Sequence, residues 1–186
     1  LEHPNIVVEN THKLLSDIIK RSDLKSEFED ANKADEDFWK KTYPIYAAAA
    51  LSQFESDDYV FDTLVIDEGQ DLTTSEYLDV YDILLRSGLD SGRWVMFCDF
   101  VHQAIYGEGN EEAFGEELAR RGIDPTRRTL KVNCYMTPHK KVLPQSPFTV
   151  LSHNNANTAV TTSCIADGDI CLFRKEEIFK VFVTIF

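Results

Sequence analysis

The chain has 186 residues, 43% of them apolar, and a formal net charge of −13. This is enough material for one sizeable core, and the negative balance argues against tight, nonspecific nucleic-acid binding by this chain alone. No apolar stretch approaches the ~20 residues of a membrane span and no N-terminal signal pattern is present, so no membrane partner is expected and the expected setting is cytoplasmic or nuclear.

In chain order, residues 6–8 read as a strand, followed by Leu14, Leu15, Ile18 and Ile19 at helical spacing. Asn10 or Thr11 suits the cap of that helix. An acidic stretch from Glu27 to Asp37 precedes a helix candidate from Phe38 to Phe54, favoured by the alanines at 47–50. Leu64, Val65 and Ile66 form a short apolar run that predicts a strand buried on both faces. It ends abruptly in Asp67-Glu68, with Gln70 and Asp71 just beyond. In open α/β sheets ligands sit outside the carboxyl ends of the strands. Two carboxylates there suit nucleotide hydrolysis, one holding Mg²⁺ through its waters and the other orienting or deprotonating the attacking water. The same pair also suits the cap of a following helix.

Residues 74–86 show helical periodicity (Tyr77, Leu78, Tyr81, Leu84, Leu85) closed by Gly88. Arg93 to Cys98 reads as a second buried strand, followed by Asp99, Gln103 and Tyr106. A helix over 110–121 stops at Gly122, and a strand is expected over 128–133. Strand and helix candidates thus alternate as in a doubly wound parallel sheet with helices on both faces. Ser152 to Ser163 has the composition of a linker. In the tail, Phe179, Val181, Val183 and Ile185 alternate as in a strand whose partner the sequence does not name. Cys98, Cys134, Cys164 and Cys171 lack Cys-x-x-Cys spacing, and Cys98 and Cys134 fall in buried-looking segments, which suits reduced, structural thiols.

The segment Asp67-Glu68-Gly69-Gln70-Asp71 resembles motif II, the Walker B element, of superfamily-1 helicases of the UvrD/Rep type. Asp99 through Tyr106 resembles motif III. Leu130 to Thr137 resembles motif IV, with Asn133, Cys134 and Thr137 matching and Tyr135 standing where the family has Arg. Ile6 to Leu15 is similar to a segment of these proteins that touches single-stranded DNA, with His12 and Leu14 in place and Asn10 where the family has Thr. The resemblance implies a partial P-loop NTPase (RecA-like) motor domain over residues 1–143, and 144–186 then reads as linker and divergent C-terminal extension.

By position it implies Asp67 as Mg²⁺ ligand and Glu68 as catalytic base. Gln103 would lie by the terminal phosphate, and Gln70, Asp71 and Asp99 around the bound nucleotide. His12 and Tyr106 would face nucleic acid. ATP and Mg²⁺ are the implied cofactors of the complete protein, with single-stranded DNA and the remaining motor domains as its partners. The phosphate-cradling loop requires Gly-Lys followed by Ser or Thr, and no glycine in this chain precedes lysine. The chain therefore reads as beginning downstream of the first nucleotide-binding strand, or as a descendant without it.

Residues 1–126 hold 11 basic and 28 acidic residues, whereas residues 127–186 hold 8 and 4. Arg120, Arg121, Arg127, Arg128 and Lys131 form the visible basic stripe. Gly107-Glu108-Gly109-Asn110 offers no stacking ring after Tyr106. Two readings follow. In one the chain is part of an ATP-dependent helicase or translocase, inactive by itself. In the other it is a noncatalytic helicase-like module for protein interaction or weak nucleotide binding. An unrelated hydrolase using Asp67 and Glu68 is a third, less favoured reading.

Overall fold

The computed structural model describes residues 6–31, 33–35, 37–55, 58–98, 100, 111–130, 148–153 and 181–184. Their strands form one sheet of six, built from β1 (Ile6–Glu9), β2 (Thr63–Ile66), β3 (Arg93–Cys98), β4 (Thr126–Leu130), β5 (Phe148–His153) and β6 (Val181–Thr184), in the order β1-β6-β2-β3-β5-β4. The first four in that order run parallel, with Ile6 opposite Val181, Thr63 opposite both Val181 and Arg93, and Ile66 opposite Met96. β5 joins β3 antiparallel, Trp94 facing His153, and β4 pairs antiparallel with β5. The expected all-parallel sheet is therefore a mixed one. The tail strand finds its partners at the centre, where β6 lies between β1 and β2.

Local chemistry explains the elements around the parallel edge. Helix α1 (Thr11–Arg21) starts where the Asn10 side chain accepts from the Lys13 N–H at 3.0 Å. It buries Leu15, Ile18 and Ile19, and Lys20 and Arg21 in its last turn complement the helix dipole. After the short α2 (Lys25–Asp30), residues Phe38–Thr42 form a π-helical turn that runs into α3 (Tyr43–Leu51), with Pro44 in the first turn where its missing N–H costs nothing. Helix α4 (Ser75–Leu84) follows a 3₁₀ turn at Gly69–Leu72 and buries Tyr77, Leu78, Tyr81 and Leu84. Its end is stitched to the entry of β2, because the Phe61 N–H donates to Leu84 O and Arg86 N–H donates to Phe61 O. The one-turn α5 (Gly88–Ser91) and α6 (Glu111–Arg120) complete the described helices.

Period-two alternation sorts the strands' side chains into two faces. Leu64, Ile66, Trp94, Met96, Cys98 and Leu151 join the main core, to which every described helix contributes. Val65, Val95, Phe97 and Val150 form a smaller cluster on the opposite face, with Ile6 packed against it. Helices on both faces were expected. Among the described residues they cover one, because all their apolar stripes meet in the same cluster.

Candidate functional site

The carboxyl ends of β1, β2, β3 and β6 share one edge, and the chain's acidic pair emerges there. Ile66 is the last fully buried residue of β2, and Asp67 and Glu68 are half-buried. Glu68 adopts a left-handed conformation, φ 51° and ψ 39°. An L-residue with a long side chain pays of the order of 1–3 kcal/mol for such a backbone, so packing must hold it there. Gly69 supplies that packing. A Cβ at this position would lie 2.4 Å from Met96 Cγ and 3.2 Å from Cys98 Sγ, so the turn is pressed onto the end of β3 in a way only glycine permits.

Hydrogen bonds then aim the carboxylates. Glu68 N–H donates to Asp67 Oδ1 at 3.1 Å, and the Gln70 side-chain amide donates to Glu68 Oε2 at 2.8 Å. Gln70 is itself buried, and its backbone carbonyl accepts from Thr73 Oγ1 at 3.2 Å, which ties down the turn that carries the side-chain amide. Burial raises the Asp67 carboxyl above its ordinary value, and the charge of Glu68 adds to this while the Glu68 N–H opposes it. Asp71, largely exposed, is displaced the same way, first by partial desolvation and then by Glu68. Below them the Cys98 thiol is pushed up by burial and then by Glu111, Glu68 and Asp67. The charge of Glu68 acts on both Asp67 and Asp71, and among the described residues neither of these two has a cationic partner.

Among the described residues no group of three or more His, Cys, Asp or Glu side chains could hold a metal ion. A dedicated protein cage of the zinc or calcium kind is therefore not built from these residues. The donor set fits Mg²⁺, which is commonly held by one or two carboxylates with waters and substrate oxygens completing its shell. Asp67 would be the carboxylate.

His12, on the first turn of α1, lies among rings and not on an open surface. Its ring centroid is 5.5 Å from Tyr43, 5.8 Å from Trp39 and 6.2 Å from Tyr77. Its Nε2 is 2.9 Å from Tyr77 Oη, and that hydroxyl is 3.0 Å from the Trp39 carbonyl oxygen. Tyr77 has one proton to give, and the carbonyl can only accept, so His12 Nε2–H donates to Tyr77. Burial holds the His12 pKa below its ordinary value, so the ring is neutral at pH 7. Trp39, Tyr43 and Tyr77 were not singled out from the sequence. The helical spacing buried Tyr77, but nothing local shows that residues 12, 39, 43 and 77 meet.

Asp99, Gln103 and Tyr106 lie outside the described residues, as do Asn133, Cys134, Tyr135 and Thr137 of the third block. The strand that leads to them does end at the expected edge, since β3 lies beside β2 in parallel register. The basic stripe is largely neutralised within the chain. Arg121 donates to Glu117 at 2.7 Å, to Ser75 O at 2.9 Å, and pairs with Asp79 at 2.7 Å, so it docks α6 on α4. Arg120 also pairs with Glu117, and Arg127 pairs with Glu111 at 3.0 Å.

No protein-family model, curated protein or solved structure matches the chain.

Proposed function

We propose that this chain carries the acidic side of a Mg²⁺-dependent nucleoside-triphosphate site of the UvrD/Rep helicase kind. The observation that carries the proposal is the turn after β2. A parallel strand delivers two carboxylates to the sheet's carboxyl edge, a buried amide aims one of them, and no described cation neutralises the other. A cation bound there supplies charge for the phosphate oxygens of a triphosphate. Asp67 holds it, and Glu68, fixed by Gln70, accepts the proton of the attacking water. By the resemblance, Gln103 senses the terminal phosphate, Gln70 and Asp71 couple the phosphate site to its surroundings, and Asp99 lies by the bound nucleotide. His12 and Tyr106 border the nucleic-acid path.

Turnover belongs to a site that also contains a glycine-lysine phosphate loop, and this sequence has none. Tyr135 also lacks the guanidinium fork that stabilises phosphate charge. Both points favour a noncatalytic, weakly nucleotide-binding role for the chain by itself. The expected rate of ATP hydrolysis is background. Turnover abolished by Glu68→Gln would show instead that the chain holds a complete phosphate site.

Manganese tests the metal assignment directly. Mn²⁺ added to the labelled chain should broaden amide resonances at 67–71 and at the end of β3 first, and Asp67→Asn should remove that effect. Broadening centred on the acidic stretch from Glu27 to Asp37, and indifferent to Asp67→Asn, would overturn the assignment.

A further inference from the structure

The aromatic corner presents one large ring to solvent. Trp39 is 46% exposed, although three neighbours fix it: Phe38 at 5.1 Å edge-on, Tyr43 at 5.1 Å and His12 at 5.8 Å edge-on. The backbone beneath it is also fixed. The Trp39 carbonyl accepts from Tyr77 Oη, and the Lys40 carbonyl accepts from Thr74 Oγ1 at 3.0 Å, both donors belonging to the start of α4. The turn itself is π-helical, a rare geometry found disproportionately at functional sites. A ring held this firmly, in a residue that is still nearly half exposed, loses little freedom when something stacks on it.

The neighbouring charges indicate what that would be. Lys40 and Lys41 lie on the same turn, and Lys13 follows His12. Before Arg127 the chain has two other adjacent cation pairs, Lys20-Arg21 at the end of α1 and Arg120-Arg121, whose arginines are both tied to Glu117. Lys41 and Lys13 pair with Asp37 and Glu9, but both lysine side chains remain more than half exposed, and exposed pairs of this kind exchange readily for another anion. An open indole beside cations suits a ligand with both an aromatic face and a phosphate, and a single ring can serve without a groove.

We propose that Trp39 is a stacking platform for a nucleobase, with Lys40 and Lys41 meeting the phosphate attached to it. The inference rests on the nucleotide-site reading for its ligand class only, since it uses neither Asp67 nor a metal. Its expected ligand is a single-stranded oligonucleotide, bound weakly and with strong salt dependence, because the chain as a whole is anionic.

The chain has two tryptophans, and Trp94 is 1% exposed, so ligand quenching of intrinsic emission reports Trp39. The full chain is titrated at low ionic strength with a thymidylate oligomer, thymidine monophosphate and inorganic polyphosphate. Saturable quenching by the oligomer is expected. Binding followed by anisotropy of a labelled oligomer should weaken at least tenfold in Trp39→Ala and less in Trp39→Phe. Replacing Lys40 and Lys41 together by Gln should flatten the salt dependence. Quenching by the monophosphate at comparable concentrations would also support stacking, and would make a mononucleotide the source. Three results would overturn the proposal: no quenching, oligomer binding indifferent to Trp39→Ala, or polyphosphate quenching as effectively as the oligomer. Emission that shifts with protein concentration alone would do so too, because the ring would then be covered by a second copy. Mn²⁺ broadening at 67–71 is measured on Trp39→Ala in parallel. Its persistence shows a folded variant, and it separates failure of the stacking site from failure of the acidic site.

Discussion

The aromatic corner around His12 and the acidic turn after β2 occupy the same edge of the sheet, yet they hold their polar groups in opposite ways. At the corner, His12 donates to Tyr77, Tyr77 donates to the Trp39 carbonyl, and Tyr43 donates to the His12 carbonyl, all within packed rings. At the turn, Glu68 sits at positive φ, Asp67 is desolvated beside a like charge, and no described cation offsets it. The corner adds stability, and the turn consumes it. A turn kept at such a cost has the character of a site that a ligand completes.

The largest way to break this comparison is to remove the corner's centre. Tyr77 is 1% exposed, and Tyr77→Ala should lower unfolding free energy by ~3–5 kcal/mol through the cavity it leaves. Tyr77→Phe keeps the ring and removes only the hydroxyl, leaving the Trp39 carbonyl without its donor, and should cost ~1–3 kcal/mol. Urea denaturation measures both. If Tyr77→Phe proves neutral, packing alone stabilises the corner and its hydrogen bonds do not distinguish it from the turn.

The acidic turn should respond with the opposite sign. Asp67→Asn keeps an oxygen for the Glu68 N–H and removes a desolvated charge, so it should stabilise the metal-free chain by ~0.5–2 kcal/mol at pH 7. The folded carboxyl has its pKa above the ordinary 3.8, so between the two values the folded state binds more protons than the unfolded one. Stability therefore falls as pH rises through that window. The advantage of the Asn variant should be full above the window and vanish below about pH 3.8. Millimolar Mg²⁺ should narrow it at pH 7 by favouring the wild-type carboxylate. An Asn variant less stable than wild type at pH 7 without metal would mean that the turn carries no such penalty.

What the sequence disclosed follows the reach of the forces involved. β2 and β3 were legible because Leu64 to Ile66 and Trp94 to Cys98 are short apolar runs with polar ends, and α4 because Tyr77, Leu78, Tyr81 and Leu84 repeat at helical spacing. The Asn10 cap was legible as one of two alternatives, and the structure selects it over Thr11, whose residue is buried at the first helical position. The placement of β6 depends on a partner more than a hundred residues away, so alternation could indicate a strand but not its neighbours. The antiparallel β5 fell inside what read as linker and extension for the same reason. Glu68 at positive φ was hidden because the adjacent Gly69 is the residue usually assigned that role, whereas here Gly69 is needed for contact with Met96. The alanine-rich helix was expected from Phe38, but its first turn is π-helical, set by donors from α4 rather than by its own sequence.

The smallest effect sharpens the comparison most, because it reverses the pH dependence of the turn. His12 is held below its ordinary pKa of 6.5 by burial among the rings, so on acidification the unfolded chain takes up its proton before the folded one. In that window the unfolded state binds more protons, and stability rises with pH. The contribution of neutral His12 is therefore present above about pH 6.5 and is lost as pH falls through the depressed folded value. Protonation would occur at Nδ1, since Nε2 already donates to Tyr77, so the hydrogen bond itself survives and the cost is one of desolvation. Because the ring is only half-buried, the expected loss is modest, about 1 kcal/mol or less between pH 7 and pH 5. His12→Gln retains an N–H donor without a titrating ring, so the stability difference between wild type and this variant should shift over that range in favour of the variant. Urea midpoints measured every half unit of pH would show it. A difference that stays constant from pH 8 to pH 5 would mean that His12 is as well solvated folded as unfolded, and the corner would then lose its claim to being the dry side of this edge.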